Sequence, residues 1–448
     1  MPASDEQILS NFLTKHPEIE IFEVMLPDVN GKLRGKWIER NNICKVLNGD
    51  LKLPLTTIAF DIWGRDPSSW VYQSGDEDGV CNVDIRTLTS VPWLKRPTAQ
   101  IMMSLNNVDN TPCPYDVRNI LRNIISRFET LNLKAMPAFE MEFSLFDKTN
   151  NEKGQPVHSQ KNLSGIDAGQ TYGLECMQDM SEFMHGVRDA AKAQNLPIDT
   201  LIKEAAPSQY EINLYHQPDP LIASDQAVIL QRAIKGVAKN LDLRASFMAK
   251  PFADLAGNGM HMHCSLVDED GNNAFNNGTD EGNELLQHAI AGCLATLNDC
   301  MLIFAPHLNS YRRFKEGSHV PMTATWGYEN RTVAIRVPAG SHKAMRIEHR
   351  VAGADANPYL VSSAIIAGML YGIENKLAAP DAMKGNTYTQ MPASLPCTWL
   401  NAIDHFKNSE FIAQYLGEEF QRVYIATKEQ EIAVFNEHIT LLEYDSYI

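Results

Sequence analysis

AFEMEFSLF, residues 138–146, alternates apolar and polar side chains without a break. Successive side chains of a strand point to opposite faces. Phe139, Met141, Phe143 and Leu145 therefore form one apolar face, and Glu140, Glu142 and Ser144 form the other. Two strand rises set the two glutamates roughly 7 Å apart. One such strand reads equally well as the wet face of any sheet, but the pattern returns four times downstream.

In SQYEINLY (208–215), Tyr210, Ile212 and Leu214 face one way and Glu211 and Asn213 the other, with Glu204 seven residues ahead of Glu211. In GNGMHMHCSL (257–266), Met260, Met262, Cys264 and Leu266 oppose His261, His263 and Ser265. RTVAIRV (331–337) reads as a strand carrying Arg331 and Arg336. MRIEHRV (345–351) sets Arg346, Glu348 and Arg350 opposite Met345, Ile347 and Val351. Each second face holds hard metal ligands or phosphate-binding cations. Glu140, Glu142, Glu204, Glu211 and Glu348 could not converge as bare anions, because like charges raise one another's pKa until some are neutral. One or two divalent cations remove the conflict. Oxygen-rich donors with a single imidazole suit Mg²⁺ or Mn²⁺ better than zinc.

The rest of the chain sets bounds on this site. Its 448 residues allow a small and a large domain, and 39 Lys+Arg against 55 Asp+Glu give a net charge of −16. That balance argues against a nucleic-acid partner. Eight scattered cysteines without a CxxC pair read as reduced thiols. The polar start MPASDEQILSNF is no signal peptide, and no apolar run reaches eighteen residues, so a soluble, cytoplasmic protein with no membrane partner is expected.

A helix is expected over 5–15 and a hairpin over 20–38, turning at Asn30-Gly31 with positive φ at the turn. Strand-like stretches at 52–62 and 102–108 complete a small sheet-rich unit, and DNTPCP (109–114) marks a boundary. Helical spacing of apolar residues follows over 115–132, then a polar loop over 147–170. Amphipathic helices are expected at 179–195, 222–240 and 283–304, and C-terminal helices near 359–376, 408–417 and 428–440.

Taken in order, these pieces resemble the glutamine synthetase family: E-x-E at 140–142, EAAPSQYE at 204–211, NGMHMH at 258–263, NSYRR at 309–313, NRTVAIR at 330–336 and KAMRIEHR at 343–350. EINLYH, NSYRRF, WGYENRTVAIRVP and RVAGADANPYL look most like the γ-glutamylpolyamine synthetases within it. The resemblance implies an α+β fold. A small N-terminal β-grasp domain (1–110) would precede a large antiparallel-sheet catalytic domain backed by helices (111–448). It also implies a homo-oligomer, a double hexameric ring, with active sites between adjacent subunits.

The implied activity is ATP-dependent joining of glutamate to a small amine, putrescine-like, through a γ-glutamyl phosphate. Ordinary glutamine synthetase activity with ammonia and a non-catalytic ring are the alternatives. Matched motif by motif, Glu142, Glu204 and Glu211 look like ligands of one of two Mg²⁺ or Mn²⁺ ions, and Glu140, His261 and Glu348 like ligands of the other. Arg331 and Arg336 resemble the neutralisers of the transferring phosphoryl group. His263, Ser265, Lys343 and Arg346, with Arg336, resemble the ATP contacts. Gly257, Arg313 and Arg350 resemble substrate-binding positions. Asp61, from the neighbouring subunit, matches the ammonium-site aspartate and ranks first as acceptor of the amine's proton. Glu204 ranks second and His319 third, and Trp63 is a cation–π partner for a distal ammonium.

The chain departs from the ammonia-using pattern on the nucleophile side. His319 stands where such enzymes carry a flap glutamate, Ala256 replaces the asparagine that opens the N-G-x-G-M-H loop, and Gly64 replaces a serine after Phe60-Asp61. The neighbouring Glu316 is a candidate stand-in for the missing flap acid, which would count against a changed nucleophile. All six expected metal ligands are present. This is the pattern of a changed second substrate with unchanged acyl-phosphate chemistry.

Overall fold

A computed structural model describes residues 4–159 and 170–448. Two sheets organise it, and the antiparallel-dominated α+β architecture expected from the motifs is present. The first sheet contains β1 (Ile21–Pro27), β2 (Leu33–Glu39), β3 (Lys52–Pro54), β4 (Asp78–Ser90) and β5 (Thr98–Asn106) in the order β2-β1-β5-β4-β3. Its β1–β5 pair is parallel and the others antiparallel. The hairpin turn differs from expectation, since only Gly31 of the Asn30-Gly31 pair has positive φ (+72°). The turn is five residues long, and the Asp28 carboxylate shapes it by accepting from the backbone N–H of Asn30 and Lys32, both at 2.9 Å.

The large sheet is built on β6 (Lys134–Asn150), with β7 (Pro156–His158), β8 (Ile198–Lys203), β9 (Gln209–Leu214), β10 (Leu243–Ser246), β11 (Met260–Val267), β12 (Trp326–Tyr328), β13 (Ile335–Val337) and β14 (Ile347–His349). Its main path runs β12-β13-β14-β11-β6-β9-β8, so β6, with Glu140 and Glu142, lies between its ligand-bearing neighbours. The apolar faces of β6, β9 and β11 are buried under helices.

Helix Val117–Glu129 starts at Asp116, whose carboxylate caps the N–H groups of Arg118 and Asn119. Helix Pro220–Asn240 is capped by Asp219 and helix Pro358–Glu374 by Asn357, each with proline in its first turn. Buried Arg118 ties the first sheet to the helices. Its guanidinium reaches Asp84 at 3.0 Å and Asp225 at 2.7 Å, and Tyr359 donates to Asp225 at 2.5 Å.

Several elements differ from the sequence expectations. The polar stretch from 147 begins as strand and turns back into β7, while 160–169 lie outside the described residues. The expected strand 331–337 shrinks to Ile335–Val337, because the Asn330 side chain accepts from the Thr332 N–H and hydroxyl and curls the chain around Arg331. The strand expected over 345–351 is only Ile347–His349. The helix expected over 179–195 is Ser181–Ala193, and a separate short helix, Leu174–Asp179, precedes it.

Helix 283–304 breaks into Glu284–Ala295 and Leu297–Phe304 with a 68° bend. At the break the Thr296 hydroxyl donates to the Gly292 carbonyl at 3.0 Å, a back-bond that bends helices. At the C-terminus, Trp399–Lys407 is helical, and one long helix, Glu418–Glu437, replaces the expected 428–440. Among the described residues no single helix is long and apolar enough to cross a membrane.

Candidate active site

Strand register assembles the second faces into one patch. Glu140 lies directly across from His261 on β11 and from Asn213 on β9, and Glu142 across from Glu211. His263 pairs with Glu348 on β14, which in turn pairs with Arg336 on β13. Glu140 thus sits between both imidazoles, one directly opposite and one on the diagonal. It is 3.1 Å from His261 Nδ1 and 2.8 Å from His263 Nε2.

In two overlapping triplets, Glu140–His263–Glu348 and Glu140–Glu211–His261, the donor atoms lie within 4.8 Å of one another. His263, expected among the nucleotide contacts, is therefore also part of the carboxylate cluster. Two imidazoles belong to this patch rather than one. Glu142 adjoins it, accepting from the Gly259 N–H at 2.6 Å.

The electrostatics of the patch are uneven. Burial opposes charge on Glu140, but the hydrogen bonds from His261 and His263 hold it far below the ordinary carboxylate range. Burial likewise opposes charge on Glu348, yet Arg350 and then the imidazoles hold it down at about 2. Burial and then the charge of Glu142 push Glu204 up to about 7. Burial followed by Glu142, Glu140 and Glu204 pushes Glu211 up as well. Around Glu204 and Glu211 the neighbouring carboxylates leave a local surplus of negative charge, and no described residue forms an ion pair with either. That surplus, on carboxylate and imidazole donors, is what a divalent cation fits.

Cations border the patch on one side. Arg336 Nη1 is 2.8 Å from Glu348 Oε2 and its other end meets Glu329, while Arg350 pairs with the second oxygen of Glu348. Arg346 Nε donates to His263 Nδ1 at 3.0 Å. A cavity of about 510 Å³ opens here, walled by Glu140, Asn213, His263, Ser265, Lys343 and Arg346.

On the other side, buried Arg313 donates to the Val351 carbonyl at 3.1 Å. A Cβ on Gly259 would lie 3.2 Å from Arg313 Nη2, 3.5 Å from His261 Nε2 and 3.6 Å from Glu142 Oε2. Glycine there lets three polar side chains converge. Gly257 is walled by the Ala249 carbonyl, 2.4 Å from where its Cβ would be.

Other expected site residues stand apart from the patch within this chain. Asp61 is fully buried and engaged, accepting from Trp63 N–H and Arg65 N–H at 2.9 Å, Arg65 Nε at 2.8 Å and Gln430 Nε2 at 2.9 Å. The Trp63 ring is covered by the Arg65 guanidinium at 4.6 Å and packs on Phe435 at 5.5 Å. Arg331 is exposed in its turn, and His319 is exposed at positive φ (+59°) on the flap.

Sequence reasoning passed over the amides beneath the cluster. Gln209 Nε2 donates to the Gly257 carbonyl at 2.9 Å and to Asn258 Oδ1 at 3.0 Å. Asn258 in turn holds the Met248 carbonyl at 2.8 Å. Both lie inside the motifs at 204–211 and 258–263, and neither carries a charge that would single it out. Buried Lys203 holds the Ala206 carbonyl at 2.7 Å and so shapes the turn after Glu204.

A family model described as glutamine synthetase, catalytic domain, matches residues 114–447. The chain belongs to the glutamine synthetase family. It is 35% identical over 443 residues to gamma-glutamylputrescine synthetase PuuA of Escherichia coli, covering 98% of this chain and 93% of that protein. It is 30% identical to a glutamate–isopropylamine ligase of a Pseudomonas species, covering 99% and 98%. Among solved structures, an ADP complex of GmaS superposes with a TM-score of 0.86 at 24% identity, covering 98% of this chain and 99% of that one. The glutamine synthetase fold inferred from the motifs is thus borne out, and so is the nearness to the polyamine branch of the family.

Proposed function

We propose that this protein is an ATP-dependent ligase that joins the γ-carboxyl group of glutamate to an alkyl amine, with putrescine or a similar polyamine as the second substrate. The observation that carries this reading is the carboxylate–imidazole patch between a cation-bordered cavity and buried Arg313. The relatives that act on putrescine and isopropylamine support the choice of amine.

A carboxylate does not condense with an amine in water, because oxide is too poor a leaving group. Attack of the glutamate γ-carboxylate on the γ-phosphorus of ATP forms an acyl phosphate and releases ADP. Attack of the neutral amine on the acyl carbon forms the amide and releases phosphate. Phosphoryl transfer of this kind is chiefly positioning and charge neutralisation. Glu140, Glu142, Glu204, Glu211, His261 and Glu348 are the residues that would hold two divalent cations, Mg²⁺ or Mn²⁺, and His263 joins them. Bound there, such ions would neutralise phosphate charge and polarise its oxygens.

Arg336 faces the transferring phosphoryl group in this reading, Arg331 reaches it only by swinging in from its exposed turn, and Ser265, Lys343 and Arg346 line the ATP cavity. Arg313 and Arg350, with forks suited to carboxylates, orient glutamate. A primary alkylamine titrates near lysine, about 10.4, so roughly one molecule in 10³ is neutral at pH 7. The amine therefore binds as a cation and loses its proton in place. Asp61 of the neighbouring subunit takes that cation only by displacing Arg65. Glu204, itself raised toward neutral pH, is the alternative acceptor.

The same reading assigns a cytoplasmic ring of subunits with sites shared between neighbours. It also divides the chain into a small domain (1–110) and a catalytic domain (111–448), in keeping with a family match that begins at residue 114. Phosphate release from ATP, Mg²⁺, glutamate and a panel of amines tests the function. Faster release with an alkyl amine than with ammonium is expected. Preference for ammonium over every amine would return the protein to ordinary glutamine synthetase activity, and no turnover with any nucleophile would favour a non-catalytic ring.

A further inference from the structure

We propose that a pocket beside the flap receives the far ammonium group of an α,ω-diamine, with Glu316 as its counter-ion. This rests on the ligase reading above and adds to it the place that holds the diamine's second charge. A diamine that reacts at one end carries a second positive charge a few carbons away, and that charge needs a partner. Trp63, the partner suggested by the sequence, already stacks on Arg65 and Phe435.

The flap offers another place. A pocket of about 170 Å³ lies between it and the segment 387–393, walled by Glu316, Met322, Tyr388, Met391, Pro392 and Ala393, with two threonines completing it. Glu316 is the single charged group on this wall, and no described residue forms an ion pair or hydrogen bond with it. Two methionines, a proline and an alanine supply apolar surface of the kind that packs against methylene groups. The lining thus pairs apolar surface with one exposed carboxylate, which matches an alkyl chain ending in an ammonium.

The pocket lies near the glutamate side of the site, since the charge of Arg350 reaches Tyr388 on its wall. Glu316 is three residues from Arg313, at most about 10 Å of extended chain. Arg313 itself reaches the Gly259–Glu142 corner, its Nη2 lying 3.2 Å from where a Gly259 Cβ would be. On the opposite wall, the Tyr388 hydroxyl donates to the Val320 carbonyl at 2.8 Å and so pins the end of the flap to the pocket. A monoamine of equal length would fill the apolar part and leave Glu316 unmatched.

The test compares 1,4-diaminobutane with butylamine in the phosphate-release assay, using the full-length wild-type protein and its Glu316→Gln and Met391→Trp variants. The ratio of kcat/KM for the diamine over the monoamine is expected to exceed one in the wild type. It should fall about tenfold in Glu316→Gln through a higher KM for the diamine. Met391→Trp, which fills the pocket, should lower kcat/KM for both amines. A wild-type ratio below one, a Glu316→Gln ratio within twofold of wild type, or a Met391→Trp variant with wild-type kinetics would each overturn the pocket assignment while the ligase reading stands. Absence of amine-dependent phosphate release in the wild type would instead overturn the ligase reading beneath it.

Discussion

Gly259→Ala is the substitution in which the geometry of the site makes its sharpest demand. Gly259 does not have positive φ, so alanine is conformationally allowed and any penalty comes from space alone. The added methyl would stand 3.2 Å from Arg313 Nη2, tighter than an ordinary contact, and 3.6 Å from Glu142 Oε2. The guanidinium must give way by a few tenths of an ångström. Overpacking of this kind costs about 1–3 kcal/mol, and the stiffer unfolded chain returns about 0.4–1 kcal/mol. Net destabilisation of roughly 0–2.5 kcal/mol follows, small enough for the protein to remain folded.

The effect on catalysis is expected to be larger. A misplacement of about 1 Å at a reacting centre costs roughly 10²-fold, so a shift of a few tenths predicts a fall of roughly three- to tenfold in kcat/KM for glutamate. The assay is phosphate release against glutamate concentration at saturating ATP and amine, with a thermal melt run in parallel. A Gly259→Ala protein with kcat/KM for glutamate within twofold of wild type would show that Arg313 does not hold that substrate.

Three further outcomes are expected. Glu140→Ala removes the carboxylate shared by both donor triplets and should abolish turnover, whereas a solvated strand face would leave activity within about twofold. Asp61→Asn cannot accept on both former oxygens from Arg65, Gln430 and the turn amides, so amine-dependent turnover should collapse while ATP binding persists, with a lower melting temperature. Unchanged amine kinetics with the lower melt would make Asp61 a turn residue only. Burial opposes charge on Asp84, but Arg86 and Arg118 hold its carboxyl at about 2, below the usual 3.8. A depressed carboxyl contributes stability above its unfolded pKa and loses it as pH falls through the folded one. Asp84 thus supplies roughly 2.5 kcal/mol at neutral pH that fades between about pH 4 and pH 2. Denaturant titrations at pH 6 and pH 2.5 should show a smaller difference for Asp84→Asn than for wild type; equal differences would refute the pairing.

The sequence alone was enough to show which face of β6, β9 and β11 carries the chemistry, because side-chain alternation in a strand follows from the local pleat and needs no partner. Phe139, Met141, Tyr210, Ile212, Met260 and Met262 are buried as that alternation requires. The order of the motifs likewise identified the family. The tertiary structure decided which charges meet, because that depends on register and on contacts distant in the chain. Glu140 touches His263 as well as His261 only through the β6–β11 pairing. Arg336 and Arg350 both turn to Glu348. Arg331 leaves the strand because a neighbouring asparagine curls the backbone. Asp61 is gripped by Gln430, 369 residues away, on a helix whose apolar stripe says nothing of that contact. Local periodicity depends on a few adjacent residues, whereas a buried ion pair depends on where the whole chain brings its second member.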